Sequence, residues 1–437
     1  MSIAAKLPTA PVERLTRPLA RFLHIQSAGG IVLLLCAVAA LVLANSPAAH
    51  DYHEFWHMHV AANMGGFIIG GELGDFFVND VLMTIFFFVV GLEIKRELVA
   101  GELKEPRKAA LPVVAALGGM LVPAGIYYAL MHGQPGERGW GIPMATDIAF
   151  VVGVMAILGP RVPLGLKILL LSLAIADDIG AVIVIAAFYS AGLDWSMLIM
   201  AGYGLIAMLV LRGLGARSIL VYVIVGAYVW LGFYQSGVHP TVAGAILGLM
   251  TPTTTWVSRT SLRLALADMA GELRENGEGE AEAHDLRLLA FAAREAVSPL
   301  DRLETVLHPW VGFAIMPLFA LANAGVPVNA QSIADPIAMA VMLGLFLGKP
   351  AGVMLFSWLA IRVGIARLPE SVSWTMMTGA GILAGIGFTM SLFVAGLGLE
   401  EGHLAAGKVG TLAGSVASAI AGAVTLGLAT RRRSRPN

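Results

Sequence analysis

Apolar blocks close to twenty residues long recur along the whole chain, separated by short polar or glycine-containing stretches. A helical block of this length crosses a bilayer, because a helix rises about 1.5 Å per residue and the hydrocarbon core is about 30 Å thick. The pattern predicts about twelve membrane-spanning helices, which we number as spans 1 to 12. Their predicted cores are residues 28–46, 81–98, 110–130, 140–158, 168–190, 195–211, 218–234, 239–252, 306–325, 336–361, 373–398 and 404–430.

The composition indicates the same class of protein. Hydrophobic residues make up 57% of the chain and charged residues 13%, whereas an ordinary soluble domain has about 25% charged residues. The predicted fold class is therefore an all-α polytopic membrane protein with the lipid bilayer as its surroundings. The net charge of −1 gives no sign of a nucleic-acid partner, and the single cysteine, Cys36, excludes an intrachain disulfide or a thiolate metal cluster.

Lysine and arginine positions predict the orientation. With the N-terminus in the cytoplasm, 25 of the 28 basic residues fall in cytoplasmic loops; Arg138 and Lys408 are assigned to external loops, and Lys349 lies inside a span. This bias follows the positive-inside rule and favours an even number of spans with both termini cytoplasmic. We therefore expect a cytoplasmic N-terminus (residues 1–27), a single transmembrane domain (28–430) and a basic cytoplasmic tail (431–437).

Two connecting stretches are long. The external stretch 47–78 contains the pairs Gly65-Gly66 and Gly70-Gly71 between short mixed runs, which predicts a small β-hairpin. The hairpin is interpreted as a structural element or as the contact of a homodimer. The cytoplasmic stretch 253–302 is charged, with a Gly/Glu-rich patch at residues 272–282, and is interpreted as a solvated connector.

Four charged residues lie well inside predicted spans, away from the span ends: Asp147 in span 4, Asp177 and Asp178 in the middle of span 5, and Lys349 in span 10. A charge at the centre of a membrane helix costs about 3 kcal/mol even on lenient scales, so intramembrane acids usually mark an ion path or a proton relay. The alternative is a set of structural ion pairs.

The chemistry of these residues favours a cation site. Na⁺ and Li⁺ prefer oxygen ligands, and a carboxylate also binds protons, so one site can exchange the two kinds of ion by competition. Lys349 is expected to pair with one carboxylate. Small residues surround Asp177 and Asp178, without an aromatic or arginine clamp for an organic solute, which disfavours proton-coupled uptake of such a solute.

Spans 4 and 11 contain helix-breaking residues. Span 4 has Pro143 ahead of Thr146 and Asp147, and span 11 has four glycines at positions 379, 381, 385 and 387. If spans 3–5 and 10–12 are inverted repeats, each interrupted helix is the middle member of its repeat; the family named next is itself a known example of this architecture. Asp147 would then offset the positive ends of the broken helices and Lys349 the negative ends.

Seven segments, in order from span 2 to span 11, form a set of motifs: 87–98 (FFVVGLEIKREL), 143–153 (PMATDIAFVVG), 173–189 (LAIADDIGAVIVIAAFY), 236–244 (SGVHPTVAG), 306–323 (VLHPWVGFAIMPLFALAN), 347–352 (LGKPAG) and 381–391 (GILAGIGFTMS). Together these segments resemble the NhaA family of bacterial sodium/proton antiporters. The resemblance implies an electrogenic antiporter of the bacterial inner membrane that expels Na⁺ or Li⁺, imports a larger number of protons, is active at alkaline pH, and has no cofactor besides the transported ions.

The resemblance also implies roles for individual residues. Asp177 and Asp178 match the cation- and proton-binding pair, and Lys349 matches the essential lysine of the tenth helix. The supporting residues that it implies are Thr146 and Asp147, in the unwound part of span 4, and Asp80, near the outer end of span 2.

Five residues are candidates for a pH response on the same basis: Glu93, Glu97, His239, Glu304 and His308. The alternative interpretation is ordinary charged helix ends and an interfacial histidine. Thr305 and the long stretch 253–302 depart from the pattern that the family resemblance implies, so the resemblance does not give the pH threshold.

A competing hypothesis is a zinc metallopeptidase, because His53-Glu54-Phe55-Trp56-His57 fits the pattern H-E-x-x-H. That motif needs a third metal ligand and a cleft. The motif lies in the short external stretch 47–78, which offers no domain to form a cleft. A histidine-rich cap on the predicted hairpin is the favoured interpretation.

Overall fold

The computed structural model describes residues 26–64, 67–190, 192–215, 218–275 and 283–433. Within this part of the chain, nine helices are long and apolar enough to cross a membrane, and two bent helix pairs and one shorter apolar helix add to them. These elements cover all the predicted spans, which confirms the all-α polytopic class. Parts of four predictions lie outside the described residues, namely the N-terminal segment up to residue 25, the Gly65-Gly66 pair of the predicted hairpin, residues 276–282 of the Gly/Glu-rich patch and residues 434–437 of the basic tail.

The spans follow the predicted order, and most have somewhat longer bounds, whereas span 8 is shorter than predicted. Span 2 shows the largest difference, because it begins at residue 73 rather than 81. Its first part is a π-helix, Leu73–Leu82, whose polar residues hide it from a hydropathy pattern. The spans are Gln26–Ala44, Leu73–Ala100, Pro106–Met131, Glu137–Arg161, Leu164–Phe188, Trp195–Gly213, Ile219–Ser236, Thr241–Met250, Pro299–Asn323, Pro336–Arg362, Trp374–Ala384 with Phe388–Gly398, and Glu401–Arg433.

The external stretch contains a short helix, Ala49–Trp56, followed by the predicted hairpin. Strands β1 (His59–Met64) and β2 (Phe67–Glu72) pair in antiparallel register, with His59 opposite Glu72. The backbone N–H of Leu73 donates to the Met58 carbonyl oxygen at 2.9 Å, which closes the base of the hairpin at the start of span 2.

Ten of the twelve spans pack in two groups, and spans 6 and 7 pack against each other. The first, here called the repeat group, consists of spans 3–5 and 10–12: span 3 contacts span 5, span 10 contacts span 12, and spans 3 and 10 pack against each other. This pattern fits the predicted inverted repeats. At the contact of spans 3 and 10, a Cβ on Gly118 or Gly352 would overlap the carbonyl oxygen of the other glycine, so close helix approach requires both.

The second group, here called the flanking group, consists of spans 1, 2, 8 and 9. Span 2 packs against spans 8 and 9, and span 9 also packs against span 1. On the side predicted to be cytoplasmic, the stretch 253–302 forms two helices, Arg259–Glu275 and Ala283–Glu295, that contact each other. The connector is therefore partly helical, and an ion pair between Arg302 and Glu295 at 3.2 Å holds its end near span 9.

Candidate functional site

Both predicted helix interruptions are present. In span 4 a 3₁₀ segment, Glu137–Met144, ends in extended backbone at residues 145–147, and a new α-helix, Ile148–Leu158, follows. In span 11 the helices Trp374–Ala384 and Phe388–Gly398 meet at a bend of 45°. Pro143 accounts for the first break, since its ring is incompatible with a continuing α-helix.

The two breaks cross each other. The backbone N–H of Asp147 donates to the carbonyl oxygen of Ile386 at 2.7 Å, and a Cβ on Gly387 would lie 3.1 Å from the Ala145 carbonyl oxygen. This approach is closer than ordinary side-chain contacts allow. Glycine at position 387 therefore permits the crossing.

Asp147 accepts hydrogen bonds from the first turns of two helices. Its carboxylate accepts the backbone N–H of Phe150 at 3.2 Å and, from the other broken span, the backbone N–H of Thr389 at 3.1 Å and the Thr389 hydroxyl. Helix N-termini expose unpaired N–H groups with partial positive charge, which an anion compensates. Ser415 of span 12 adds a second acceptor, 3.0 Å from the backbone nitrogen of Phe388.

Asp177 lies on span 5 beside the crossing, with 1% of the residue exposed. Its Oδ2 atom is 2.7 Å from Lys349 Nζ and 2.7 Å from the Thr146 hydroxyl. Its Oδ1 atom is buried and has no hydrogen-bond partner within the described part of the chain.

Lys349 is fully buried on span 10 and also donates to the carbonyl oxygen of Met144. That carbonyl belongs to the end of the 3₁₀ segment of span 4, where backbone acceptors lack helical partners. A π-helical segment, Gly344–Gly348, precedes Lys349. Such segments change the direction of the side chains that follow.

Asp178 follows Asp177 in the same helix, so its side chain points about 100° away around the helix axis. It is 3% exposed. Its carboxylate interacts electrostatically with three other acids, Glu93, Asp177 and Asp147, and with Lys349. The two aspartates thus differ: a lysine contacts the first directly, while the second has mainly acidic neighbours.

Asp80 and His239 lie close together, with His239 Nε2 3.5 Å from Asp80 Oδ1. His239 lies in the connection between spans 7 and 8, and burial lowers the pKa of its imidazole to about 4. The ring is therefore neutral at neutral pH. Its Nδ1 atom contacts the Thr241 hydroxyl at 2.8 Å and accepts the Thr241 backbone N–H, which places the ring proton on Nε2, facing Asp80.

Three of the remaining pH candidates lie where spans 2 and 9 meet. Glu93 Oε1 is 3.6 Å from His308 Nδ1, and Glu304 forms an ion pair with Arg96. Glu97 is separate from these pairs and accepts the backbone N–H of Glu102 at 3.0 Å.

The H-E-x-x-H string begins on the external helix, but its second histidine lies beyond the helix end. His57 contacts Glu72 of β2, and His50 lies 3.8 Å from Glu54. Within the described residues, no three His, Cys, Asp or Glu side chains are placed to hold a metal ion together. The contact of His57 instead joins the external helix to the hairpin.

Comparison with known proteins identifies the family. The family model "Na+/H+ antiporter 1" matches residues 20–426. The chain belongs to the NhaA family of Na⁺/H⁺ antiporters. Relatives include Na(+)/H(+) antiporter NhaA 2 of Acidiphilium cryptum (strain JF-5), 48% identical over 96% of this chain and 94% of the relative, and the NhaA antiporter of Rhodopirellula baltica, 49% identical over 95% of each. The Rhizobium meliloti antiporter NhaA is 48% identical over 99% of each chain.

Membership in the NhaA family confirms the resemblance that the sequence motifs predicted. The chain is a multi-pass membrane transporter with Na⁺ and H⁺ as transported ions, and it is not an enzyme. The metallopeptidase hypothesis is therefore wrong.

The sequence prediction missed several hydrogen-bond and ion-pair partners of the candidate residues. Thr389 lies in a matching segment but was given no role. Ser415, Arg96, the Met144 carbonyl oxygen and the Ala384 carbonyl oxygen, which lies 2.8 Å from the Thr146 hydroxyl, were not considered. Arg96 lies one helical turn after Glu93, yet its partner is Glu304 of span 9, which this spacing does not predict.

Proposed function

We propose that this antiporter exports Na⁺ or Li⁺ in exchange for more than one proton, and that the cation and the protons compete for Asp177 and Asp178. The observation that carries the proposal is the contact between Lys349 and Asp177 beside the separate carboxyl group of Asp178. Together these groups offer a cation a negative site only when protons leave or Lys349 is displaced.

Competition follows from the burial of these groups. Charged carboxylates in a dry environment need a counter-charge, which Lys349, a proton or a bound cation can supply. When Na⁺ enters, it supplies the counter-charge that the bound protons supplied before. One proton therefore leaves Asp178, and a second leaves Asp177 or Lys349. The two aspartates interact strongly and release protons as a unit rather than as independent groups.

Exchange of one Na⁺ for more than one proton moves net positive charge into the cell. The membrane potential then acts on the cycle, with about 2.3 kcal/mol per charge for each 100 mV. This property distinguishes the proposed electrogenic exchange from one-for-one exchange.

Asp147 and Lys349 have a supporting role in the proposal. At the ends of the broken helices, each of these side chains compensates the partial charge of backbone groups that lack helical partners. The two side chains thereby stabilise the crossing. The repeat group then carries the crossing as it moves against the flanking group, and the site opens to each side in turn.

Regulation by pH is proposed for the contacts between spans 2 and 9. The His308–Glu93 contact is an ion pair only when the histidine is protonated, so its strength changes with cytoplasmic pH. Arg96 and Glu304 lie beside it, and Glu93 also interacts electrostatically with Asp178. This link connects the charged cytoplasmic end of span 2 to the transport site. Of the other candidates, Glu97 stabilises the end of span 2, and Asp80 with His239 supports exchange at the opposite end.

The proposed location is the bacterial inner membrane, with both termini in the cytoplasm. The basic residues at the end of span 12 would lie at the anionic inner surface of the lipid bilayer. The hairpin of β1 and β2, on the external side, is proposed as the contact of a homodimer.

The test uses everted membrane vesicles that contain the protein and hold an acidic interior. Addition of Na⁺ or Li⁺ is expected to dissipate the pH gradient, and Asp178→Asn should abolish this response. Asp177→Asn should reduce it severely. Asp194→Asn is a matched control, because this exposed acid caps the helix of span 6 and asparagine caps equally well. Full activity of Asp178→Asn, or equal loss in the Asp194→Asn control, would refute the assignment of the site.

A further inference from the structure

A second lysine lies in the bundle, away from the transport site. Lys408 was assigned to an external loop, but it lies about two turns inside span 12, and the assignment is corrected. Its Nζ atom is 3.5 Å from Oδ1 of Asn323, the last residue of span 9. Residue 408 lies inside the predicted core 404–430, so the loop assignment disagreed with the predicted span, and the structure supports the span.

Lys408 is one end of a chain of side-chain hydrogen bonds. Asn323 Nδ2 donates to Asn79 Oδ1 at 2.8 Å and to the Phe319 carbonyl oxygen at 3.2 Å. Because both partners are acceptors, the amide orientation is fixed and Oδ1 must face Lys408. Asn79 Nδ2 in turn donates to Asp75 Oδ1 at 3.1 Å.

All the donors in this chain point the same way, from the ammonium group of Lys408 to the carboxylate of Asp75. Aligned hydrogen bonds polarise one another, and charged ends strengthen them. The two asparagines therefore connect a cation and an anion that are too far apart for a direct salt bridge. Lys408 interacts electrostatically with Asp75 as well, which fits this arrangement.

This chain of hydrogen bonds joins the repeat group to the flanking group. Asp75 and Asn79 lie in the first part of span 2, and Asn323 ends span 9; both spans belong to the flanking group. Lys408 belongs to span 12, which packs on spans 10 and 11 of the repeat group. The external helix is close by, since the positive charge of Lys408 is one cause, after burial and His57, of the lowered pKa of His53.

We propose that the Lys408–Asn323–Asn79–Asp75 chain is a latch that holds the repeat group against the flanking group at the outer end and breaks when the site opens outward. The inference rests on the alternating access of the proposed function. In the proposed cycle, opening the outer side separates spans 9 and 12, and the hydrogen bond between Asn323 and Lys408 crosses this boundary. Loss of a hydrogen bond to a charged group shifts an equilibrium by about tenfold.

The experiment measures the apparent KM for Na⁺ separately at the outer and the inner face, in proteoliposomes of known orientation. Lys408→Met should lower the outer KM by about three- to tenfold, because the outward-open fraction rises by the same factor. The inner KM should rise or stay the same. Lys408→Arg, which keeps the charge and the donors, should resemble the wild type.

Asp75→Ala tests the other end of the chain and does not depend on the folding of the Lys408 variant, since Asp75 is exposed. It should lower the outer KM in the same direction, and the double variant should add little to the single Lys408→Met change. An unchanged outer KM in both single variants, or equal changes at both faces, would overturn the latch. If the wild type itself fails to exchange Na⁺ for protons, the proposed function fails instead.

Discussion

The hydroxyl group of Thr146 has one proton but two acceptors within hydrogen-bond distance. Asp177 Oδ2 lies 2.7 Å away and the Ala384 carbonyl oxygen 2.8 Å away. When Asp177 is ionised, the hydroxyl donates to it. When Asp177 carries a proton on Oδ2, the carboxyl donates to Thr146 and the hydroxyl turns to Ala384. Thr146 thereby links the charge on span 5 to the break in span 11.

The variant Thr146→Val removes this hydroxyl and nearly preserves the side-chain volume. A hydrogen bond to a charged group contributes about 1.5–3 kcal/mol, and a neutral one about 0.5–1.5 kcal/mol. Loss of the hydroxyl therefore raises the free energy of the ionised form of Asp177 by about 1.4 kcal/mol more than that of the protonated form. Since cation binding requires the ionised form, the apparent KM for Na⁺ should rise by about tenfold.

The assay is the initial rate of Na⁺-induced dissipation of the pH gradient in everted vesicles, at one pH and a series of Na⁺ concentrations. Thr146→Ser keeps the hydroxyl and serves as the matched variant, with a KM within about twofold of the wild type. Equal KM values for the valine and serine variants would refute the reasoning, because packing alone would then explain any change.

Three further outcomes are expected. Asp147→Ala should lower the melting temperature of the purified protein more than Asp147→Asn, because asparagine still caps the helix Ile148–Leu158; equal losses would show that the cap does not matter. Collapsing the membrane potential with valinomycin and K⁺ should change the exchange rate, whereas indifference to the potential would contradict electrogenic exchange. Replacing residues 59–72 by a short glycine–serine link should weaken dimerisation, measured by crosslinking, and leave transport measurable, because Met58 and Leu73 at the hairpin base are retained; an undiminished dimer would refute the role of the hairpin.

Charged residues within apolar segments gave the clearest prediction of the site from the sequence. Asp177, Asp178, Asp147 and Lys349 were found because a charged side chain inside a span is costly and therefore conspicuous. The breaks in spans 4 and 11 were also predictable, since proline and clustered glycine interrupt a helix for local steric reasons.

Hydroxyl partners were much harder to predict. Thr389 and Ser415 bind across helices, yet Thr411 and Thr430 bond to carbonyl oxygens four residues earlier in their own helix. Serine and threonine in membrane helices have both options, and the sequence does not distinguish them. The early start of span 2 was missed for a related reason, because partners that the sequence does not reveal satisfy its polar residues: Asn79 bonds to Asn323 of span 9 and to Asp75.

The crossing of the two broken helices has a consequence for biosynthesis. Asp147 and Thr389 are 242 residues apart in the chain. At a synthesis rate of about 5–20 residues per second, span 4 enters the membrane about 10–50 s before its partner exists. During that time the Asp147 carboxylate lacks both hydrogen bonds from Thr389, and its backbone N–H lacks the Ile386 carbonyl oxygen. Assembly of the ion site therefore waits for span 11, and a chain truncated before span 11 would leave an incompletely bonded acidic break inside the bilayer.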